Sequence, residues 1–335
     1  ENIRLPQKEN FAFITMIKQG EGKIMYEKLE AIEQEIGKVI KGKKDVIQKV
    51  LMAICASGHV LLEDHPGSGK TTLAKAIAKA MELDYNRQQF TPDTMPSDII
   101  GYSFYNKQKE EFQYVPGVVQ CNLLLGDEIN RTSSKTQSAL LEAMEEKTVT
   151  VDGNTMALPD PFIVIATQNP ITSGGTQPLP DSQCDRFMVR LSMGYPAFED
   201  EVTILRENSD EDAMQQIHQI AAKEDLYRIK EQIAKVVVKD QILEYICRLC
   251  EATRSHDEIE RGVSTRGAIA VKRMAMANAA FHERNYVIPK DVEEIFIDVC
   301  AHRIICNARA KIEENSEQHI LQRILEQITP PSLFQ

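Results

Sequence analysis

Two glycines, a lysine and two threonines fall within one short run, Pro66-Gly-Ser-Gly-Lys-Thr-Thr72. Glycine removes the Cβ that would keep backbone N–H groups from converging. Such groups at the head of a helix make a concave anion site, reinforced by the positive end of the helix dipole. In the pattern G-x-x-x-x-G-K-T the N–H groups of Gly67, Ser68, Gly69 and Lys70 cradle phosphates. The Lys70 ammonium then reaches the β- and γ-phosphates, and the Thr71 hydroxyl ligates Mg²⁺. The segment Pro66 to Thr72 is therefore the candidate nucleotide loop. One position departs from the pattern, since the first glycine is replaced by Asp64. A carboxylate there repels a triphosphate unless it is turned away or paired. Asp64 is expected to face outward, with nucleotide affinity lowered.

Metal-side acids come next. Asn122-Leu-Leu-Leu-Gly-Asp-Glu128 is an apolar run ending in two carboxylates, with Asp127 lying 57 residues past Lys70. Asp127 would hold Mg²⁺ through water, and Glu128 would orient and polarise an attacking water. A further run, Phe162-Ile-Val-Ile-Ala-Thr-Gln-Asn169, ends in an amide that could hold that water beside Glu128. Asn-Pro is also a common turn, so a purely structural Asn169 is the alternative.

These groups need elements to position them. The strand-sized run His59-Val-Leu-Leu-Glu63 feeds the loop, and a helix is expected over Thr71 to Met81. With Tyr85 to Phe90, Asn122 to Gly126, Phe162 to Ala166 and Phe187 to Leu191, such runs alternate with helical stretches. That order specifies an α/β fold with a parallel sheet covered on both faces. After Pro196 helical periodicity takes over. Ile242, Tyr245, Ile246, Leu249 and Cys250 form one apolar stripe, and similar patterns cover Thr265 to Phe281 and Asp291 to Ile305. The expected organisation is an α/β domain over 1–195, with a helical lead-in to about residue 36, and a helical domain over 196–335. Two hairpins are expected, Phe104 to Val115 and Lys147 to Met156. The second carries the turn signal Asp152-Gly153.

Bulk properties narrow the class. The 335 residues carry 39 Lys and Arg against 50 Asp and Glu, a net charge of −11. Divided after Tyr195, the counts are 21 basic and 25 acidic, then 18 and 25, so both parts are acidic. A duplex-DNA binder shows a basic domain or stripe, and neither part supplies one in bulk. The densest basic stretch, Lys41-Gly-Lys-Lys44, reads as a solvated helix start, with a phosphate or partner contact as the alternative. No apolar run is long enough to span a bilayer, and the chain does not open as a secretory signal does. Seven scattered cysteines fit a reducing cytoplasm. Cys247 and Cys250 form a C-x-x-C within a helical stripe, read as core packing with at most one exposed thiol. The seven histidines show no ligand spacing, which argues against a transition metal.

Taken together, the phosphate loop, Asp127-Glu128, Asn169 and the trailing helical domain resemble an AAA+ ATPase. Gly126-Asp-Glu-Ile-Asn-Arg131 and Lys135 to Glu146 are similar to the MoxR family. So are Gln89-Phe-Thr-Pro-Asp93 with Pro96-Ser-Asp98, Ala166 to Pro170, Leu179-Pro-Asp181, Asp185-Arg-Phe187 and Gly262 to Gly267. The resemblance implies a P-loop parallel-sheet domain with a C-terminal all-helical lid, and ATP hydrolysis with Mg²⁺. Some branches of the family carry Asp where this chain has Asp64. The resemblance also implies that Arg186 is the arginine finger reaching a neighbouring subunit's γ-phosphate, with Arg190 and Arg131 as competitors for interface work. A guanidinium suits that task because it stays charged and grips phosphate oxygens bidentately. Arg266 matches the lid's sensor arginine, coupling nucleotide state to lid angle. The hairpins match the helix-2 insert and pre-sensor hairpin, which face the ring's opening and a protein client.

A trans arginine implies a homo-oligomeric ring, expected to be a hexamer. The resemblance further implies chaperone-like remodelling of partner complexes beside a von Willebrand A domain protein. Such a domain would sit on a separate chain, because no Asp-x-Ser-x-Ser motif occurs here. Two rival readings are a nucleic-acid motor or loader, and a nucleotide-gated binding module with little turnover.

Overall fold

The computed structural model describes residues 25–65, 67–169, 179–206, 214–313 and 316–332. Its N-terminal part carries the strands β1 (Val60–Glu63), β2 (Tyr85–Gln89), β3 (Gly101–Asn106), β4 (Glu111–Pro116), β5 (Leu123–Asp127), β6 (Thr148–Val151), β7 (Asn154–Ala157), β8 (Ile163–Gln168) and β9 (Val189–Leu191). Five of them form one parallel sheet in the order β2-β5-β8-β1-β9. β8 lies between β1 and β5, with Glu63 opposite Gln168 and Gly126 opposite Ala166. The carboxyl ends of the three strands therefore lie side by side, which is where open α/β sheets bind ligands.

Continuous apolar runs are required because both faces of this sheet are covered. Along β5, Leu123 and Leu125 enter one core cluster and Leu124 enters the other. The first cluster includes Leu51 and Ile54 of the helix Lys44–Cys55, and Leu73 and Ile77 of the helix Lys70–Ala80. It runs without a break into the C-terminal helices, through Leu249, Met274 and Phe296. The second cluster includes Phe90, Ile99, Leu140 and Phe187. Leu124 has no exposed surface, so Leu124→Ala costs about 2–5 kcal/mol.

Both expected hairpins form. β3 and β4 pair from Gly101 opposite Pro116 to Asn106 opposite Glu111. β6 and β7 turn through Asp152 (φ 50°) and Gly153 (φ 80°), the left-handed pair that a two-residue turn demands. The helix read as Thr71 to Met81 spans Lys70–Ala80, and the amphipathic lead-in forms a helix over 25–37. The part of the lead-in before residue 25 lies outside the described residues.

The C-terminal part carries the helices Lys223–Ala234, Asp240–Ser255, Thr265–Phe281, Pro289–Cys300 and Glu317–Gln327. It is not wholly helical, because Ile259–Arg261 and Ile305–Cys306 pair as a short antiparallel ribbon. Strands of two or three residues have no readable period, and the partners are far apart in sequence. The helix expected over Asp291 to Ile305 instead runs Pro289–Cys300. It starts earlier because Pro289 suits its first position and Asp291 caps the Ile288 N–H at 2.8 Å. Cys250 is buried and Cys247 exposed on the same helix, both free thiols.

Candidate nucleotide site

The loop builds its cradle from backbone conformation. Gly67 (φ 86°) and Gly69 (φ 84°) are left-handed, a region L side chains seldom adopt, and Gly69 leads directly into the helix Lys70–Ala80. A Cβ on Gly67 would meet nothing within 4 Å, because it would project into open space. The helix has no acidic residue in its first turn, leaving its dipole free to attract an anion. Lys70 is buried, and its ammonium donates to Asp64 O at 3.0 Å, His65 O at 2.8 Å and Ser68 Oγ at 3.3 Å. Burial pushes this amine's pKa down, while the charges of Asp64, Asp127 and Glu128 oppose that shift. Thr71 and Thr72 line the same cavity, of about 480 Å³. Pro66 lies outside the described residues.

Asp64 corrects the sequence reading. It does not face outward but is buried, and it is not among the residues lining the cavity. Its carboxylate accepts from Ser192 Oγ (2.8 Å), from the Met193 N–H and from the Gly194 N–H (3.1 Å). Those donors stand just past β9, so the carboxylate ties the loop to the next wall of the site. The basic stretch at 41–44 also borders the site, with Lys41 and Lys43 lining the cavity. Lys43 donates to Tyr195 O at 2.6 Å, and Lys44 pairs with Glu33 at 3.1 Å. Val39, Ile40, Met193, Pro196 and Ile204 give the cavity an apolar side.

Two acids and an amide meet at the strand ends. Thr167 Oγ1 donates to Asp127 Oδ1 at 2.7 Å and accepts from the Glu128 N–H at 2.9 Å. Asp127 Oδ2 accepts from Arg87 at 2.7 Å. Glu128 is left-handed (φ 56°, ψ 49°), a strain of about 1–3 kcal/mol for a residue with a side chain. Its Oε1 accepts from Asn169 Nδ2 at 2.6 Å, and its Oε2 from Gln89 at 2.8 Å and Arg131 at 2.9 Å. Lys70, Thr71, Asp127, Glu128 and Asn169 thus line one cavity.

Sequence reasoning missed Thr167, Arg87 and Gln89. A signal existed, since Tyr85-Asn-Arg-Gln-Gln89 is unusually polar for a strand, and residues two apart share a face. In register, Gln89 lies opposite Asp127 and Arg87 opposite Leu125.

Arg186 and Arg266 lie elsewhere. Both pair with Glu145: Arg186 Nε stands 2.9 Å from Oε2, and Arg266 Nη2 donates to Oε1. The Arg186 N–H is not aimed at its partner, so this contact is an ion pair without a hydrogen bond. The two arginines line a second cavity of about 550 Å³ that contains none of Lys70, Asp127 or Glu128. Arg266 is therefore not at the phosphate loop of its own chain. The reason is local, because its helix starts at Ser264, whose hydroxyl accepts from the Gly267 N–H and donates to Asp185 beside Arg186. Of the competing arginines, Arg190 pairs with Glu63 at 3.4 Å and Arg131 with Glu128 of its own site.

Comparison with known proteins matches residues 59–189 to the family described as ATPases associated with various cellular activities, and residues 251–324 to an AAA lid domain. Chaperone MoxR1 of Mycobacterium tuberculosis is 37% identical over 314 residues, spanning 91% of this chain and 83% of that protein. This chain belongs to the MoxR family of AAA+ ATPases. Uncharacterized protein YeaC of Bacillus subtilis is 45% identical over 298 residues, covering 89% of this chain and 93% of the relative. The crystal structure of a candidate ATPase from Cytophaga hutchinsonii superposes with a TM-score of 0.87 at 40% identity, covering 93% of this chain and 98% of that one. In MoxR terms, the matched ATPase region contains Lys70, Asp127, Glu128, Asn169 and Arg186, and the matched lid contains Arg266. No helix among the described residues is long and apolar enough to cross a membrane.

Proposed function

We propose that this MoxR-family protein hydrolyses ATP with Mg²⁺ and uses the cycle for chaperone-like remodelling of partner protein complexes. One observation carries the reading: the Lys70 loop, Asp127 and the Glu128–Asn169 pair converge on one cavity. The loop N–H groups and Lys70 bind the phosphates, and the apolar side at Val39, Ile40 and Ile204 receives the base. Thr71 and Asp127 fit a hard cation, being oxygen donors at the mouth of the cradle. Mg²⁺ held there would supply positive charge to offset that of the phosphates. Glu128 orients and polarises the lytic water once its carboxylate is released from Gln89 or Arg131, while Asn169 fixes that carboxylate's other oxygen.

Hydrolysis is assigned to 1–195 and lid motion to 196–335. Arg186 and Arg266 belong to a cavity apart from their own phosphate loop, which supports their reaching a nucleotide across a subunit contact in a ring, read as a hexamer. The ring's partners are a protein client and a separate von Willebrand A domain protein, and the acidic charge of both parts argues against nucleic acid. We place the protein in the cytoplasm.

Glu128→Gln is expected to keep ATP-analogue affinity within about threefold while turnover falls at least a hundredfold, as loss of a general base requires. Equal turnover in the two proteins would falsify the assignment. Mixing Arg186→Ala with Lys70→Ala chains is expected to restore part of the activity that each lacks alone. Two normally assembling variants without any mutual rescue would place Arg186 outside the interface.

A further inference from the structure

We propose that Arg303, on the lid, is a positioning residue that holds Arg186 in place and so makes the finger's geometry depend on lid attachment. The proposal rests on the reading of Arg186 as a trans-acting finger.

Arg303 is buried against the other domain rather than facing solvent. Its Nε donates to Asp185 Oδ1 at 2.7 Å. Nη2 donates to Asp185 O at 3.2 Å and Phe187 O at 2.6 Å, and Nη1 to Met188 O at 3.1 Å and to Val299 O. Four of these five acceptors therefore sit on 185–188, the segment that carries Arg186. A guanidinium has five N–H donors, so its whole capacity is spent here, chiefly on that segment. The other carboxylate oxygen of Asp185 accepts from Ser264 Oγ at 3.1 Å. The lid thus takes both oxygens of the residue next to the finger.

The side chains close a loop. Ser264 caps the helix Thr265–Phe281, which carries Arg266. Arg266 and Arg186 share Glu145. From the lid, the connection passes through Arg266, Glu145, Arg186 and Asp185, then returns through Arg303 and Ser264. Burying a charge that could be replaced by apolar packing brings little stability, and the role best attested for such groups is to specify one geometry. Here the specified geometry is that of the backbone on both sides of Arg186.

The test is a double-mutant cycle in the full chain, comparing Arg303→Lys, Arg186→Ala and the double variant. Lys retains the charge but cannot satisfy five acceptors. The fluorescent analogue mant-ATP should bind Arg303→Lys within about twofold of the parent, because Arg303 is remote from the phosphate loop, while turnover falls at least about tenfold. The double variant should turn over no more slowly than Arg186→Ala alone. Asp185→Asn, which leaves the carbonyl acceptors in place, should reproduce both results if Arg303→Lys does not fold. Multiplicative losses in the double variant, or parental turnover in a folded Arg303→Lys or Asp185→Asn protein, would overturn the proposal. Parental turnover in Arg186→Ala would instead remove the trans-finger reading beneath it.

Discussion

Glu128 shows how much a single residue's surroundings decide. Its backbone is left-handed and each of its carboxylate oxygens is already engaged, so its position is fixed before any water arrives. His59 is a corresponding case away from the cavity that Glu128 lines. Its Nδ1 accepts from the Val164 N–H at 3.0 Å, leaving Nε2 to donate to Met144 O at 3.2 Å, so the ring is neutral. Burial pushes its pKa down to about 4. The unfolded chain takes up a proton near pH 6.5 and the folded one does not, so stability is whole above that pH and is lost as pH falls toward 4. Between pH 7 and 4.5 this group alone accounts for about 2 kcal/mol. Urea unfolding at the two pH values should therefore show a smaller acid loss for His59→Gln than for the parent, and equal losses would show that His59 is not the titrating group.

At the scale of elements, the phosphate loop is not an isolated turn but one side of a bracket. Asp64 fastens the end of β1 to the chain leaving β9, the strand beside it in the sheet. Asp64→Gly restores the ordinary loop glycine and removes a carboxylate from the neighbourhood of a triphosphate. Charge repulsion alone would make that change favourable to binding. The bracket predicts the opposite, because the Met193 and Gly194 N–H groups lose their acceptor and the buried one, on Met193, costs about 1–3 kcal/mol when orphaned. Asp64→Gly should unfold at lower urea and bind mant-ATP more weakly. Tighter binding in the variant would show that the carboxylate's charge outweighs its anchoring.

Across the whole molecule, one of the two core clusters runs from the sheet into the lid, so lid and ATPase region share buried surface as well as the Arg303 contacts. That burial also sorts the cysteines. The thiols of Cys55 and Cys121 are pushed up to about 12 and that of Cys250 to about 11, with desolvation the leading cause. Cys247 is exposed and Cys184 half-buried. Because the thiolate is the reacting form, a thiol reagent at neutral pH should modify Cys247 fast, Cys184 slowly and the rest only after denaturation. Cys247→Ser should abolish the fast phase. Several fast thiols in the native protein would mean that the lid opens readily in solution.

Hydrophobic period and glycine spacing determined most of the strands, the phosphate loop and its helix, because these depend on neighbours within a few residues. Asp127, Glu128 and Asn169 were legible for the same reason, each ending an apolar strand. The family resemblance marked Arg186 and Arg266, whose local sequence is otherwise ordinary. Only the tertiary structure decided where they sit, away from their own loop and paired through Glu145. It also brought His282 beside Asp291 and Glu294, which stand one helical turn apart, with Arg284 holding Asp291 and Asn278 holding Glu294. Asp64's inward turn and the grip of Arg303 on 185–188 were equally hidden. Each depends on which side chain fills a partner's hydrogen bonds, and those partners lie more than a hundred residues apart in the chain.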